Sequence, residues 1–362
     1  MRNKRLVWAV AAIAVVLVLT GAGIAVALAS RSDPPPAAAP AAPPSAAPTS
    51  ASPAPPPGAD ITGPLNLLIL GLDTRTSVPD WEPHSDAIML LHVDRSLESG
   101  YLFSLPRDLR VQIPAFPPAG FTGGRYKLTE AMSRGSRVPG SDKPNPEQGY
   151  ALLKQTISDY TGIRTFDAGA LLTFAGLSRL TDALGGVTLR IDQKVVSQHR
   201  RPDGTLRTMR SGGGGYLGPQ ATYLPGTRTL KGWQAIDYAR QRYTAGGDYT
   251  RQRHQRQLVK ALLTKAEGAG LATDTAKLQQ VISALGDSLL YSGERSTIDF
   301  AYALRNLKPD KLTLVGLPGG SVTSGGRYIG EELQPAGRDF LKAVVANEPA
   351  AFLADNPSLI NK

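Results

Sequence analysis

Asp73, Arg75, Ser85, Asp86, Arg107 and Asp108 stand at the ends of consecutive apolar runs, and arginines recur at 240, 242 and 251. Carboxylates can hold a metal ion and arginines can bind phosphate, so the set has the chemistry of a pyrophosphate site. For a single aspartate, a turn or helix cap is the ordinary explanation. A pair of aspartates flanked by arginines is harder to explain that way. Mg²⁺ takes oxygen ligands and commonly uses one or two carboxylates together with substrate phosphates, so Asp73 and Asp86 fit that role if the fold brings them together.

Near-continuous apolar runs precede or carry these residues: Leu65 to Leu72, Ala87 to Val93, Tyr101 to Leu105, and later Lys311 to Leu317. Such runs read as strands covered on both faces. Ligands of open α/β sheets gather beyond strand C-termini, where Asp73, Arg75 and Pro106-Arg107-Asp108 fall. Ser85-Asp86 begins the second run, so an antiparallel neighbour would bring Asp86 to the rim that carries Asp73.

Helical spacing appears at Tyr150, Leu153, Ile157 and Tyr160. It recurs at Leu171, Phe174, Leu177, Leu180 and Leu184, which end at Gly185-Gly186. A further helix from about Thr250 to Lys265 places Arg251, Gln255, Leu258 and Leu262 on one face. The fold expected is α/β: a three-layer α/β/α domain around a central mixed sheet.

The late arginines are expected to point inward. Arg240 shares a helical face with Trp233 and Ile236, and Arg242 would face the same way if the chain becomes extended after Ala239. Arg251 and Gln255 prolong an apolar stripe towards a helix N-terminus, where free N–H groups favour an anion. Buried arginines need anionic partners. Those could be a phosphate ligand, or salt bridges to Asp237, Asp248 or Asp167.

The N-terminus suggests where this site works. Arg2, Lys4 and Arg5 precede Leu6 to Ala29, a stretch without charge. As a helix it would span about 36 Å, against a hydrocarbon core of ~30 Å. Ala27-Leu28-Ala29 looks like a signal-peptidase site, but the apolar stretch exceeds the usual ~7–15 residues of a signal peptide. The expected organisation is a cytoplasmic N-terminus at 1–5 and a single transmembrane anchor at 6–29. A Pro/Ala-rich extracytoplasmic linker at 30–60, a catalytic domain at 61–355 and a short tail at 356–362 follow.

The basic flank places the domain outside the membrane. Asp33 to Gly58 is rich in proline and alanine and cannot build a core. Extended at ~3.1 Å per residue, it could hold the domain up to roughly 80 Å from the bilayer. The absence of cysteine excludes thiolate chemistry and Cys-ligated metal. Four of the 40 basic and one of the 30 acidic residues precede Asp60, which leaves the remainder at +7. Outside the cell such a charge meets anionic lipids and polymers, and nucleic acid is not an expected partner.

His84, His92 and His199 show no metal spacing and read as surface or packing residues. Gly212 to Gly215 lacks the Lys and Ser/Thr of a nucleotide-binding loop and reads as a flexible loop near the site or on the surface. No Gly-x-Ser-x-Gly elbow is present.

Taken together, the motifs resemble the LytR-CpsA-Psr family of cell-envelope glycopolymer transferases, from Leu65 to about Phe352. The resemblance is carried by Asn66 to Arg75, Ser85 to Leu90, Leu105-Pro106-Arg107-Asp108 and Lys127-Leu128-Thr129. Farther on it continues through Leu184 to Val187, Leu224 to Gly226, Tyr238 to Arg242, and Gly247 to Arg251 followed by Gln255. Each is weak alone; their order and spacing together are specific.

The resemblance implies a phosphotransferase. It would take a glycopolymer from a polyprenyl-pyrophosphate carrier at the membrane and join it to peptidoglycan through a phosphodiester. Asp73 and Asp86 would hold Mg²⁺, with Mn²⁺ as an alternative. Arg75, Arg107, Lys127, Arg240, Arg242, Arg251 and Gln255 would bind the pyrophosphate, and the arginines with the metal pair would form the catalytic set. Thr129, where the family usually has asparagine, and His254, where it usually has arginine, depart from the pattern. His254 and Asp108 are the candidates for a general base. An apolar groove for the lipid would be sought around Leu171, Leu172, Phe174, Leu177 and Leu180, which could equally be core. Two other functions are compatible with the same residues: a polyprenyl-pyrophosphate hydrolase, and a non-catalytic prenyl-pyrophosphate-binding regulator of envelope assembly. Teichoic acid, arabinogalactan and capsular polysaccharide would present the same pyrophosphate to the same arginines.

Overall fold

The computed structural model describes residues 57–73, 82–269 and 285–361. The expected anchor at 6–29, most of the linker, and Arg75 lie outside the described residues. Among the described residues no helix is long and apolar enough to cross a membrane.

A six-stranded mixed sheet forms the middle layer. Its strands are β1 (Leu65–Asp73), β2 (His84–Val93), β3 (Gly100–Ser104), β4 (Ala168–Thr173), β5 (Leu289–Gly293) and β6 (Leu312–Val315), in the spatial order β5-β4-β1-β2-β3-β6. β1 runs parallel to β4 and antiparallel to β2, and β3 runs parallel to β6. Alternate β1 residues feed two cores. Leu65, Leu67 and Ile69 face one; Leu68, Leu70 and Leu72 face the other. The apolar runs therefore carry no polar face, as a doubly covered sheet requires.

The first core is closed by α3 (Phe174–Ala183), α4 (Gly232–Arg240), α5 (Gly247–Gly268) and α6 (Thr297–Ala303), the second by α1 (Thr129–Gly135), α2 (Pro146–Thr161), α7 (Pro335–Val345) and α8 (Pro349–Asp355). The three-layer α/β/α arrangement expected from the sequence is present. Local chemistry explains the helix limits. Asn145 accepts a hydrogen bond from Gln148 N at 3.0 Å, Pro146 occupies the first turn, and Gly162 closes α2 at φ 80°.

Three boundaries differ from expectation. Leu171 and Leu172 belong to β4, and α3 starts only at Phe174, because Thr173 caps it by accepting from Gly176 N at 3.1 Å. The helical spacing of Leu171 is a coincidence of a strand leading directly into a helix. α5 begins three residues before Thr250, after the left-handed Gly246. The residues read as a tail pack on the sheet: Asn361 N donates to Leu314 O at 2.8 Å, and Gly316 N to Leu359 O at 2.8 Å.

Between Val187 and Leu230 the chain forms an antiparallel arm. Its base pairs Val187–Ile191 with Gly226–Leu230, and shorter ladders pair 195–196 with 222–223 and 208–209 with 216–217. Two-residue ladders leave no hydrophobic period to read in the sequence.

His92, His199 and His254 are all held below the ordinary histidine value, first of all by burial. The unfolded chain therefore takes up protons near pH 6.5 that the folded chain refuses. Their contribution to stability is intact above about pH 6.5 and declines as the pH falls below it. Thermal unfolding is expected at a lower temperature at pH 5.5 than at pH 7.5, with a shallower dependence in His254→Gln. A midpoint independent of pH over this range would contradict it.

Candidate functional site

The residues singled out by spacing meet at one rim of the sheet. Asp73 ends β1. The β1–β2 register passes from Gly71 opposite Ala87 to Leu72 opposite Ser85, which leaves Asp86 as the extra residue of a bulge. Bulges re-aim side chains. Both carboxylates line a polar cavity of about 600 Å³ with Arg107, Arg240, Arg242, Arg251 and Gln255.

Each carboxylate already faces a guanidinium. Arg107 donates to Asp86 through a short charge-assisted bond, and Arg240 lies 4.0 Å from Asp73. Burial works against the charge on Arg107, yet Asp86, with Asp108 and Asp248 beyond it, holds the guanidinium above its ordinary value. Arg251 behaves in the opposite sense. It is buried and paired with Asp248 at 2.8 Å, but desolvation pulls its pKa down, helped by the neighbouring Arg107 and Arg242. The Nε atoms of Arg107 and Arg251 and Oε1 of Gln255 are buried without a hydrogen-bond partner. A cavity edged by donors and an acceptor left unmet is arranged for a polar ligand.

A buried carboxylate fixes the arginine-bearing segment. Asp237 accepts from Ser197 Oγ at 2.9 Å, Tyr223 OH at 2.8 Å and Gln241 Nε2 at 2.9 Å. It thus ties the arm to the end of α4, and Arg240 and Arg242 lie on either side of Gln241. Asp182 of α3 accepts from Gly232 N at 2.7 Å and sets where α4 starts. Of the three aspartates considered as salt-bridge partners, only Asp248 pairs with a site arginine in this way. Asp237 serves neutral donors, and Asp167 accepts from Asn66 N at 2.8 Å.

Lys127, expected to bind the pyrophosphate, does not line the cavity. Its ammonium lies 3.3 Å from Asp108 and 4.8 Å from the centre of the Tyr328 ring. Asp108 also accepts from Tyr328 OH at 3.1 Å. The other base candidate, His254, is fully buried, stacked on Tyr238 at 4.3 Å, with Nε2 3.1 Å from Asp192. A histidine enclosed in this way cannot meet a substrate hydroxyl. Asp108 does not line the cavity but lies beside Arg107, which does, 3.9 Å from its Nε.

Spacing did not find Gln198, His199, Tyr216, Gln241 and Tyr243, which also line the cavity, as does Phe174 of the expected apolar groove. His199, read as a surface or packing residue, belongs to the cavity. Gly214 and Gly215 line it too, so the glycine run lies near the site. Phe174 carries the guanidinium of Arg240 at 4.0 Å over its ring. Phe174, Arg240 and Gln255 also border a narrow apolar cleft walled by Ile69, Met89, Leu172, Leu177, Leu258 and Leu262. Leu171 and Leu180 do not line it; both are core.

The chain belongs to the LytR_cpsA_psr family, whose model matches residues 43–333. It is 27% identical over 272 residues to biofilm regulatory protein A of Streptococcus mutans, covering 71% of this chain and 59% of that one. To the cell wall biosynthesis protein LcpA of Corynebacterium glutamicum it is 28% identical, covering 68% and 45%. This chain thus spans only about half the length of these two relatives. It is 24% identical to an Enterococcus faecalis protein named polyisoprenyl-teichoic acid–peptidoglycan teichoic acid transferase TagU, covering 70% and 71%.

Among solved structures, a Streptococcus agalactiae protein superposes with a TM-score of 0.61 at 22% identity, covering 79% of this chain and 88% of the other. TagV of Bacillus subtilis gives 0.57 at 16%, covering 80% and 98%. These likenesses establish the fold.

Proposed function

We propose that this protein transfers a glycopolymer from a polyprenyl-pyrophosphate carrier to peptidoglycan through a phosphodiester. The observation that carries this reading is the junction of two chemically opposite spaces. An arginine-rich cavity meets an apolar cleft at Phe174, Arg240 and Gln255. A ligand matching both has an anionic head and a hydrocarbon tail. The cleft is narrow, so a prenyl chain would enter it only with movement of α3 against α5.

Four arginines confront the head. Arg107, Arg240, Arg242 and Arg251 would bind the pyrophosphate, and the first two would exchange their carboxylate partners for phosphate oxygens. Charge develops on the leaving prenyl phosphate as the acceptor hydroxyl attacks the sugar-side phosphorus, and fixed guanidinium groups stabilise it at little reorganisation cost. The bridging oxygen departs with the prenyl phosphate and the hydroxyl loses its proton.

Asp73 and Asp86 offer oxygen donors only, which fits Mg²⁺ or Mn²⁺. They would hold the ion, which when bound neutralises phosphate charge. The chemistry draws on the pyrophosphate bond and calls for no nucleotide.

The test is turnover of a prenyl-pyrophosphate saccharide by the full chain, with Mg²⁺, in the presence and absence of a peptidoglycan acceptor. Saccharide joined to the acceptor is the expected product. Release of prenyl phosphate regardless of acceptor would replace transfer by hydrolysis, and tight binding without turnover would leave a regulator.

A further inference from the structure

The proposed transfer leaves one proton to be placed, that of the attacking hydroxyl. His254 is sealed inside the fold, and Asp108 does not line the cavity. Asp73 and Asp86 do line it, but they face the guanidinium groups of Arg240 and Arg107. The lining contains one imidazole, that of His199. A neutral imidazole is the side chain whose ordinary pKa suits proton exchange near neutrality.

The fold holds His199 where the arm meets the arginines. Its backbone N–H donates to Ser197 Oγ at 3.1 Å, and its carbonyl accepts from Arg207 N at 2.8 Å. Ser197 Oγ in turn donates to Asp237, the carboxylate that fixes the segment bearing Arg240 and Arg242. The imidazole stands edge-to-face to Tyr216, with 5.1 Å between ring centres. The other three histidines each place a ring nitrogen against a protein oxygen: His84 against Glu82 O, His92 against Asn66 Oδ1 and His254 against Asp192. Among the described residues His199 alone has both ring nitrogens unspent, and it alone of the four lines the cavity.

The charges around the ring keep it ready to accept a proton. Burial acts first and disfavours the imidazolium; Arg240 at the end of α4, Arg200 next to it in the chain and Arg242 beyond α4 act in the same direction, and Asp237 opposes them. The ring is therefore neutral at pH 7. A bound pyrophosphate would offset the arginines and stabilise the imidazolium once it forms.

We propose that His199 is the general base of the transfer. Its free ring nitrogen takes the proton of the acceptor hydroxyl as that oxygen bonds to the sugar-side phosphorus. The bond from this phosphorus to the bridging oxygen breaks, prenyl phosphate leaves with the electron pair, and the imidazolium releases its proton to solvent. The inference rests on the proposed transfer reaction.

The test uses the full chain with a prenyl-pyrophosphate saccharide, Mg²⁺ and peptidoglycan. In His199→Gln, kcat is expected to fall by about 10²-fold or more, the usual contribution of a general base, with KM for the saccharide donor little changed. In the parent chain kcat/KM should decline as the pH drops below about 6.5, because the proton-accepting form is lost. His199→Gln should show no such acid limb, and His254→Gln should retain it. Imidazole added to His199→Ala should restore the rate several-fold, and added to Arg107→Ala should not. Circular dichroism at each pH separates loss of the base from loss of the fold.

An unaltered kcat in His199→Gln, an acid limb that persists there, or lost activity that imidazole does not restore in His199→Ala would each overturn the proposal and leave transfer standing. No turnover in the parent chain, with acceptor or with water, would remove the transfer reading and the role of His199 with it. Release of the saccharide to water, with the acid limb lost in His199→Gln, would replace transfer by hydrolysis and keep His199 as the base that activates the water.

Discussion

Arg107→Ala is expected to lower turnover of a prenyl-pyrophosphate saccharide by about 10²- to 10³-fold while leaving the fold in place. The magnitude is that of removing one preorganised donor from developing charge. Two effects combine at this position. Arg107 lines the cavity with its Nε unmet, so the substrate loses a cation aimed at the site. Asp86 also loses the guanidinium that holds it. The destabilisation is that of a partly buried group losing its partner, about 1–3 kcal/mol. A domain of this size tolerates that much. Cooperative unfolding by circular dichroism together with lost turnover is the expected pair of results. Full activity in this variant would remove Arg107 from the site.

Arg251→Met is expected to separate function from stability. Arg251 is among the most buried charges in the structure, and burial pulls its pKa down in spite of Asp248. Methionine has similar length, carries no charge to desolvate, and fits beside an apolar stripe that continues to Leu258 and Leu262. Asp248 is partly exposed and keeps a hydrogen bond from Gln252 Nε2 at 3.0 Å, so the substitution does not strand a buried anion. Turnover should fall by about 10²-fold, while the unfolding midpoint holds or rises by a few degrees, the shift that about 1 kcal/mol produces in a large domain. Residues that bind ligands are often kept at a cost in stability. A large drop in midpoint with activity retained would instead make Arg251 a structural brace.

Much of the site was legible because its residues sit where secondary structure ends. Asp73 and Arg107 follow apolar runs, and sheet geometry alone puts such positions on a common rim. Asp86 was placed there by assuming an antiparallel neighbour; the register adds that a bulge aims it. Arg240, Arg251 and Gln255 were readable from helical spacing, since inward polar residues on apolar stripes demand a reason.

What the sequence hid depends on contacts between distant segments. His199, Tyr216 and the glycines reach the cavity on an arm whose ladders are too short to show a period. Leu171 kept helical spacing by accident, and only the cap at Thr173 shows that it belongs to a strand. Lys127 stands in a family motif, but it is paired with Asp108 and does not line the cavity. His254 and Asp108 were equivalent as bases on paper. Burial separates them, because His254 is sealed against Tyr238 and Asp192 while Asp108 lies beside Arg107.

The central claim is transfer of a phosphorylated saccharide, and the fate of one phosphorus atom tests it most directly. A prenyl-pyrophosphate saccharide radiolabelled in the sugar-side phosphate is incubated with the full chain, Mg²⁺ and peptidoglycan. The label should appear in the acceptor, bridging saccharide and glycan, while unlabelled prenyl phosphate is released. Label recovered in a free saccharide phosphate, or left in the prenyl carrier, would contradict it.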